Sequence, residues 1–103
     1  MTALQPEDAL DQLAALSIDV RAGVVLDAAG RRLAGSSVLA GPAAQLLDAA
    51  PASAIEVVTE RGAVFAVRSP QRALAVVTGR PVVASLVLYD LRRVLAELEP
   101  RPA

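Results

Sequence analysis

Few side chains in this chain could do chemistry, and they stand apart from one another. All ten basic residues are arginine, and His, Cys and Lys are absent. General acid–base work would therefore fall to carboxylates or to Tyr89, and nucleophilic attack to a serine or threonine with no base beside it. Asp27 heads the run Asp27-Ala28-Ala29-Gly30, where aspartate at the first position and glycine at the last are what a β-turn asks for. Ser36 and Ser37 have no neighbouring base, so capping or solvation is their expected role. Gly35 and Gly41 lack both the spacing and the lysine of a phosphate loop. Asp90, Glu97 and Glu99 share a helical stretch with Arg92 and Arg93 and fit a solvated face better than a metal site. The expectation is a protein without catalytic residues, cofactor or metal.

What remains is a platform of helices and strands. At 103 residues the chain is expected to be one domain with one modest core. Its hydrophobic residues are mainly Ala, Val and Leu, with a single Phe65 and a single Tyr89, so the core must be aliphatic and closely spaced. A formal charge of −1 with no basic stripe argues against nucleic acid. The absence of cysteine excludes disulfides and thiolate metal sites. Glu7, Asp8 and Asp11 stand where a secretory signal would need a basic stretch, and Pro81 to Tyr89 is about half the roughly 20 residues that span a bilayer. A soluble, cytoplasmic protein is expected.

The order of elements reads helix, hairpin, short helix, three-strand meander, helix. Pro6 with Glu7 and Asp8 suits a helix start, giving a first helix over Glu7 to Leu16. Strand-like runs follow at Arg21 to Asp27 and Arg31 to Ser36, joined by the Asp27–Gly30 turn. Gly41-Pro42 is read as opening a second helix, with Ala43, Leu46, Leu47 and Ala50 at helical spacing and a stop before Pro51. Ile55 to Glu60, Ala63 to Arg68 and Ala73 to Thr78 are strands separated by turns at Arg61-Gly62 and Ser69-Pro70-Gln71-Arg72. Both faces of these strands carry Val or Ala, which predicts a sheet covered on both sides. Val83, Leu86, Val87, Val94, Leu95 and Leu98 give a last amphipathic helix ending before Pro100.

From Ala9 to Leu98 the chain resembles the Roadblock/dynein light chain domain, in its small bacterial branch. The hairpin Gly23-Val24-Val25-Leu26-Asp27-Ala28-Ala29-Gly30-Arg31-Arg32-Leu33-Ala34 is similar to that family's opening strands. Gly62-Ala63-Val64-Phe65-Ala66-Val67-Arg68 and Ala73-Leu74-Ala75-Val76-Val77-Thr78 are similar to its closing meander. The resemblance implies a single Roadblock-like domain over 1–103, of α+β class: a five-stranded antiparallel sheet in the order 2-1-5-4-3, in a roadblock/profilin-like sandwich. The first and last helices would lie on one face and the second on the other. It also implies a non-enzymatic, homodimeric adaptor or regulator that binds a small Ras-like GTPase. A self-associating scaffold is the alternative, and a small-molecule sensor of the PAS type is another. Ser37 to Ala54 leaves room for only one helix of about three turns, too little to wall the pocket such a sensor needs.

In the implied order the third strand is an outer edge, and a β-rich edge with unpaired backbone groups recruits another strand. A second copy is the expected occupant. A twofold through Val57 would set Glu56 against Val58 and Ile55 against Thr59, whereas centring on Val58 would oppose Glu56 and Glu60. Helix two would meet its copy across the same axis, with Ala43 and Ala50 letting the backbones approach and Leu46 and Leu47 filling the gap, so the expected dimer interface is Ala43, Leu46, Leu47, Ala50, Ile55, Val57 and Thr59. Arg31, Arg32, Arg61 and Arg72 lie in or near turns, from which they could reach a further partner.

Overall fold

The computed structural model describes residues 5–16, 20–49, 53–59, 62–79 and 84–98. Helix α1 (Pro6–Leu16) opens on Pro6, with Glu7 and Asp8 in the first turn. There the missing proline N–H costs nothing and the acids face the positive end of the helix. Strands β1 (Val20–Asp27) and β2 (Arg32–Gly35) follow, then α2 (Ser37–Ala49), β3 (Ala54–Thr59), β4 (Gly62–Arg68), β5 (Arg72–Thr78) and α3 (Ala84–Leu98). All strand pairs are antiparallel, and the sheet runs β2-β1-β5-β4-β3. This is the expected α+β order, with β2 and β3 at the two edges.

The strands show two-sided burial because helices cover both faces. Val25, Phe65, Val67, Leu74 and Val76 point to one side and pack with Ala9 and Leu13 of α1 and Leu91, Val94 and Leu95 of α3. Val24, Leu26, Ala66, Ala73 and Ala75 point to the other and pack with Ala43 and Leu47 of α2. Each large side chain so buried contributes roughly 1.5 to 3 kcal/mol. Buried residues run from Ala9 to Leu98. Among the described residues no helix is long and apolar enough to cross a membrane.

Two helices depart from the expected pattern. α2 begins at Ser37 and not at Pro42, because Ser36 accepts the N–H of Leu39 on its Oγ at 3.2 Å and that of Ala40 on its carbonyl at 3.2 Å. That cap satisfies the first orphan donors and starts the helix more than a turn early. Pro42 then falls inside the helix, on its exposed side, where the N–H it lacks would have met the carbonyl of Val38. Val38 is 84% exposed, so water can serve that carbonyl instead. In α3 the buried stripe is Val87, Leu91, Val94, Leu95 and Leu98, while Leu86 is 62% exposed. Leu86 stands one residue off the stripe, about 100° around the helix from Val87.

Both described hairpin turns are built as their sequences ask. In the β1–β2 turn, Gly30 takes φ +84°, its N–H bonds the Asp27 carbonyl at 3.0 Å, and the Asp27 N–H bonds the Arg31 carbonyl at 2.9 Å. In the β4–β5 turn the Ser69 N–H bonds the Arg72 carbonyl at 2.8 Å. The end of β2 is tighter still. Gly35 has φ +95°, and any Cβ there would collide with the carbonyl oxygen of Gly23, whose other neighbour is the Ser36 N–H at 2.9 Å. Only glycine fits.

Candidate interaction surface

The sheet face under α2 is only partly covered. α2 sits over Val24, Ala75 and Ala66, and Ile55 packs against the same cluster. Two residues further along each strand, on the same face, lies a second row in register: Ala22 opposite Val77, Val77 opposite Val64, and Val64 opposite Val57. Ala22, Val77 and Val64 are half-buried, and Val57 is 36% exposed. At the usual strand spacing this apolar row is roughly 14 Å long, and it ends at the free edge of β3. On the other face of that strand Val58 is 70% exposed.

The flanks of α2 point in defined directions. A Cβ on Gly30 would lie 3.4 Å from the Cβ of Ala44, so that flank faces the β1–β2 turn. Leu46, about 200° further around the helix, lies on the opposite flank and is half-buried. Ala43 and Leu47, expected at a helix–helix contact, are 1% and 5% exposed and are committed to their own sheet. The reason is that the apolar stripe of an amphipathic helix first satisfies its own core. The exposed residues of α2 are instead Ser37, Val38, Gly41, Pro42, Gln45, Asp48 and Ala49. Ile55 is half-buried against the α2 cluster and Val57 lies at the open edge. Thr59 ends β3, opposite Gly62. Ala50 lies outside the described residues.

The arginines are not equivalent. Arg31 donates through Nε to Asp27 Oδ2 at 3.0 Å, while Asp27 Oδ1 accepts the N–H groups of Ala29 and Arg31, each at 2.9 Å. The Arg31 N–H outweighs the upward push of desolvation and, with the Ala29 N–H and the Arg31 guanidinium, holds the Asp27 carboxyl below its usual 3.8. Asp27 is thus a turn-forming residue. Arg32 Nη1 donates to the carbonyl of Gly35 within its own strand at 3.2 Å. Arg72 Nη1 donates to the neighbouring Gln71 carbonyl at 3.0 Å, and Arg61 lies outside the described residues. A residue the sequence did not single out, Arg68, donates from Nη1 to the carbonyl of Leu47 at 2.7 Å and so ties the end of β4 to the last turns of α2. Its placement at a strand end before a turn was the only sequence signal.

No protein-family model matches the chain, and no curated protein matches it. Solved structures do. A Roadblock/LC7 domain from Streptomyces avermitilis superposes with a TM-score of 0.76 at 19% identity, covering 91% of this chain and 98% of that one. The chain has the Roadblock/LC7 fold. The same fold relates it to the gliding protein MglB from Thermus thermophilus, with a TM-score of 0.70 at 15% identity over 94% of this chain and 92% of that one. An MglB with a tetrameric arrangement gives 0.66 at 16% identity over 94% and 91%. Val57 and Val58 on the β3 edge are exposed and the row behind them is half-buried, an apolar surface that the described helices leave partly uncovered.

Proposed function

We propose that the chain is a non-enzymatic, homodimeric adaptor that binds a small Ras-like GTPase and modulates its activity or location. The observation that carries the dimer is the apolar row ending on β3. With the twofold through Val57, the row Ala22-Val77-Val64-Val57 runs on into its copy without a charged residue in it, and the free backbone groups of β3 gain partners. Leu46, half-buried on the flank of α2 away from the β1–β2 turn, would join this seam in the dimer. A second MglB structure with a tetrameric arrangement supports self-association as a property this fold can carry. The GTPase as partner comes from the Roadblock resemblance of the sequence.

The mechanism is positional. A dimer that docks the nucleotide-dependent segments of a GTPase shifts its state only as far as its affinities for the two states differ. Sensing of a small molecule is the weaker reading, because the only described helix between β2 and β3 is α2 and apolar side chains pack beneath the helices on both sheet faces. Sedimentation velocity tests the first half: the chain runs as a dimer and Leu46→Arg as a monomer, and a monomeric parent chain defeats the proposal. For the second half, a Ras-like GTPase is titrated in its GDP and GTP forms. Unequal affinity supports regulation, and equal affinity leaves a scaffold only.

A further inference from the structure

Helix α2 carries two start signals more than a turn apart, and only the first is used as a start. Ser36 caps the observed start, taking the N–H of Leu39 on Oγ and that of Ala40 on its carbonyl, each at 3.2 Å. Gly41-Pro42 is the second signal. Glycine is accepted at an N-cap, and proline is favoured at the first helical position, where its missing N–H costs nothing. In the helix as it stands Pro42 falls in the interior, lacks a donor for the Val38 carbonyl and sets its ring against it. A Cβ on Gly41 would meet nothing within 4 Å, so no neighbour braces the chain at this point.

The two sides of Pro42 are held unequally. Both buried residues of α2, Ala43 and Leu47, come after it, and Arg68 fixes the far end by donating to the Leu47 carbonyl. Before it, Ser37, Val38 and Gly41 are exposed, and only Leu39 and Ala40 pack, partly buried, against the cluster that holds Val24. The Ser36 N–H bonds the Gly23 carbonyl at 2.9 Å. The first turn therefore stands over Gly23 and Val24 of β1, beside Ala22 at the head of the apolar row.

We infer that residues 37–41 are a hinged turn that opens as a unit at Gly41-Pro42 while residues 42–49 stay on the sheet. On opening, Gly41 becomes the N-cap and Pro42 the first residue of a shorter helix, and the N–H and carbonyl groups of the released turn pass to water. Leu39 and Ala40 leave their cluster, and the apolar row gains the sheet surface beside Ala22. The turn is thus a cover, and its position sets how much of that face a partner meets. A partner shifts it only as far as its contacts with the two forms differ. The hinge uses neither Val57 nor Leu46, so it goes beyond the dimer reading and stands apart from it.

The test is amide hydrogen exchange of the full chain, followed residue by residue by NMR. The N–H groups of Leu39, Ala40 and Gly41 are expected to exchange through one shared opening, at least about tenfold more populated than the one that exposes Leu46 and Leu47. Pro42→Ala restores a donor to the Val38 carbonyl and removes the second start. It should slow exchange at Leu39 and Ala40 by at least about tenfold and leave Leu46 and Leu47 as they were. Ser36→Ala removes the cap and should speed exchange at Leu39, Ala40 and Gly41 by about fivefold, again without change at Leu47. A smooth gradient of rates from Leu39 to Leu47, unchanged rates in Pro42→Ala, or acceleration along the whole helix in Ser36→Ala each overturns the proposal. Pro42 is exposed and Ser36 half-buried, so both variants are expected to keep the fold, which unchanged exchange at Val24 and Ala75 in the sheet verifies.

Discussion

The two edges of the sheet are made differently. β2 has four residues, ends in Gly35 at positive φ pressed against Gly23, and folds the Arg32 side chain back onto the Gly35 carbonyl. β3 has six, carries two exposed valines, and backs onto an apolar row that crosses the sheet. A short, kinked, arginine-guarded edge resists addition of another strand, and a longer flat valine edge invites it. Association through one edge only ends at a pair, whereas two open edges would build a fibre.

The largest effect is expected where β2 is tightest. Gly35→Ala forces a side chain into the carbonyl of Gly23 and into a left-handed backbone, and should cost about 3 kcal/mol in denaturant unfolding. A loss below about 1 kcal/mol would mean that the β2 edge is not held as described. At β3, Val57→Lys places a charge in the centre of the apolar row and should weaken the dimer by more than about tenfold in sedimentation equilibrium. Val58→Lys, on the opposite face, should weaken it less, and a reversed order would move the twofold.

A third measurement concerns the turn that leads into β2. Because the folded chain holds the Asp27 carboxyl below 3.8, the turn's stabilisation is complete above the unfolded value. It fades as the pH falls from about 4 through the lower folded value. NMR titration should place the Asp27 carboxyl below its usual value, and Asp27→Asn should flatten this acid limb. Equal acid sensitivity of parent and variant would contradict the bonding described. Smallest is Arg32→Ala, expected to cost a few tenths of a kcal/mol as an exposed contact and to leave the chain no larger than a dimer in light scattering. Growth beyond a dimer would show that Arg32 alone closes the β2 edge.

The strands were legible because β-branched runs and a turn such as Asp27-Ala28-Ala29-Gly30 act locally, through backbone sterics and an aspartate bonding its own turn. The edge strand and its valines were legible for the same reason once the order was known. The α2 start was not, since Pro42 looks like a first-turn residue until Ser36 is seen to cap the helix from six residues upstream. Periodicity identified the Ala43–Leu47 stripe but could not say which surface meets it, and the chain's own sheet does. Leu86 and Leu91 differ in the same way: both are leucines in one helix, and only the phase against Val87 separates them. The bond from Arg68 to the Leu47 carbonyl depends on which elements become neighbours, a long-range fact that no local run of residues encodes.

The seam between β1 and β5 joins parts of the polypeptide that are made far apart in time. Val25 pairs with Leu74 and Val20 with Thr78, so β1 emerging from a ribosome has only the short β2 ribbon beside it until β5, the last strand, is released. Such distant pairing is slow and leaves apolar strands open meanwhile. The nascent chain is therefore expected to stay sensitive to protease, and to hold chaperones, until residue 78 has cleared the exit tunnel.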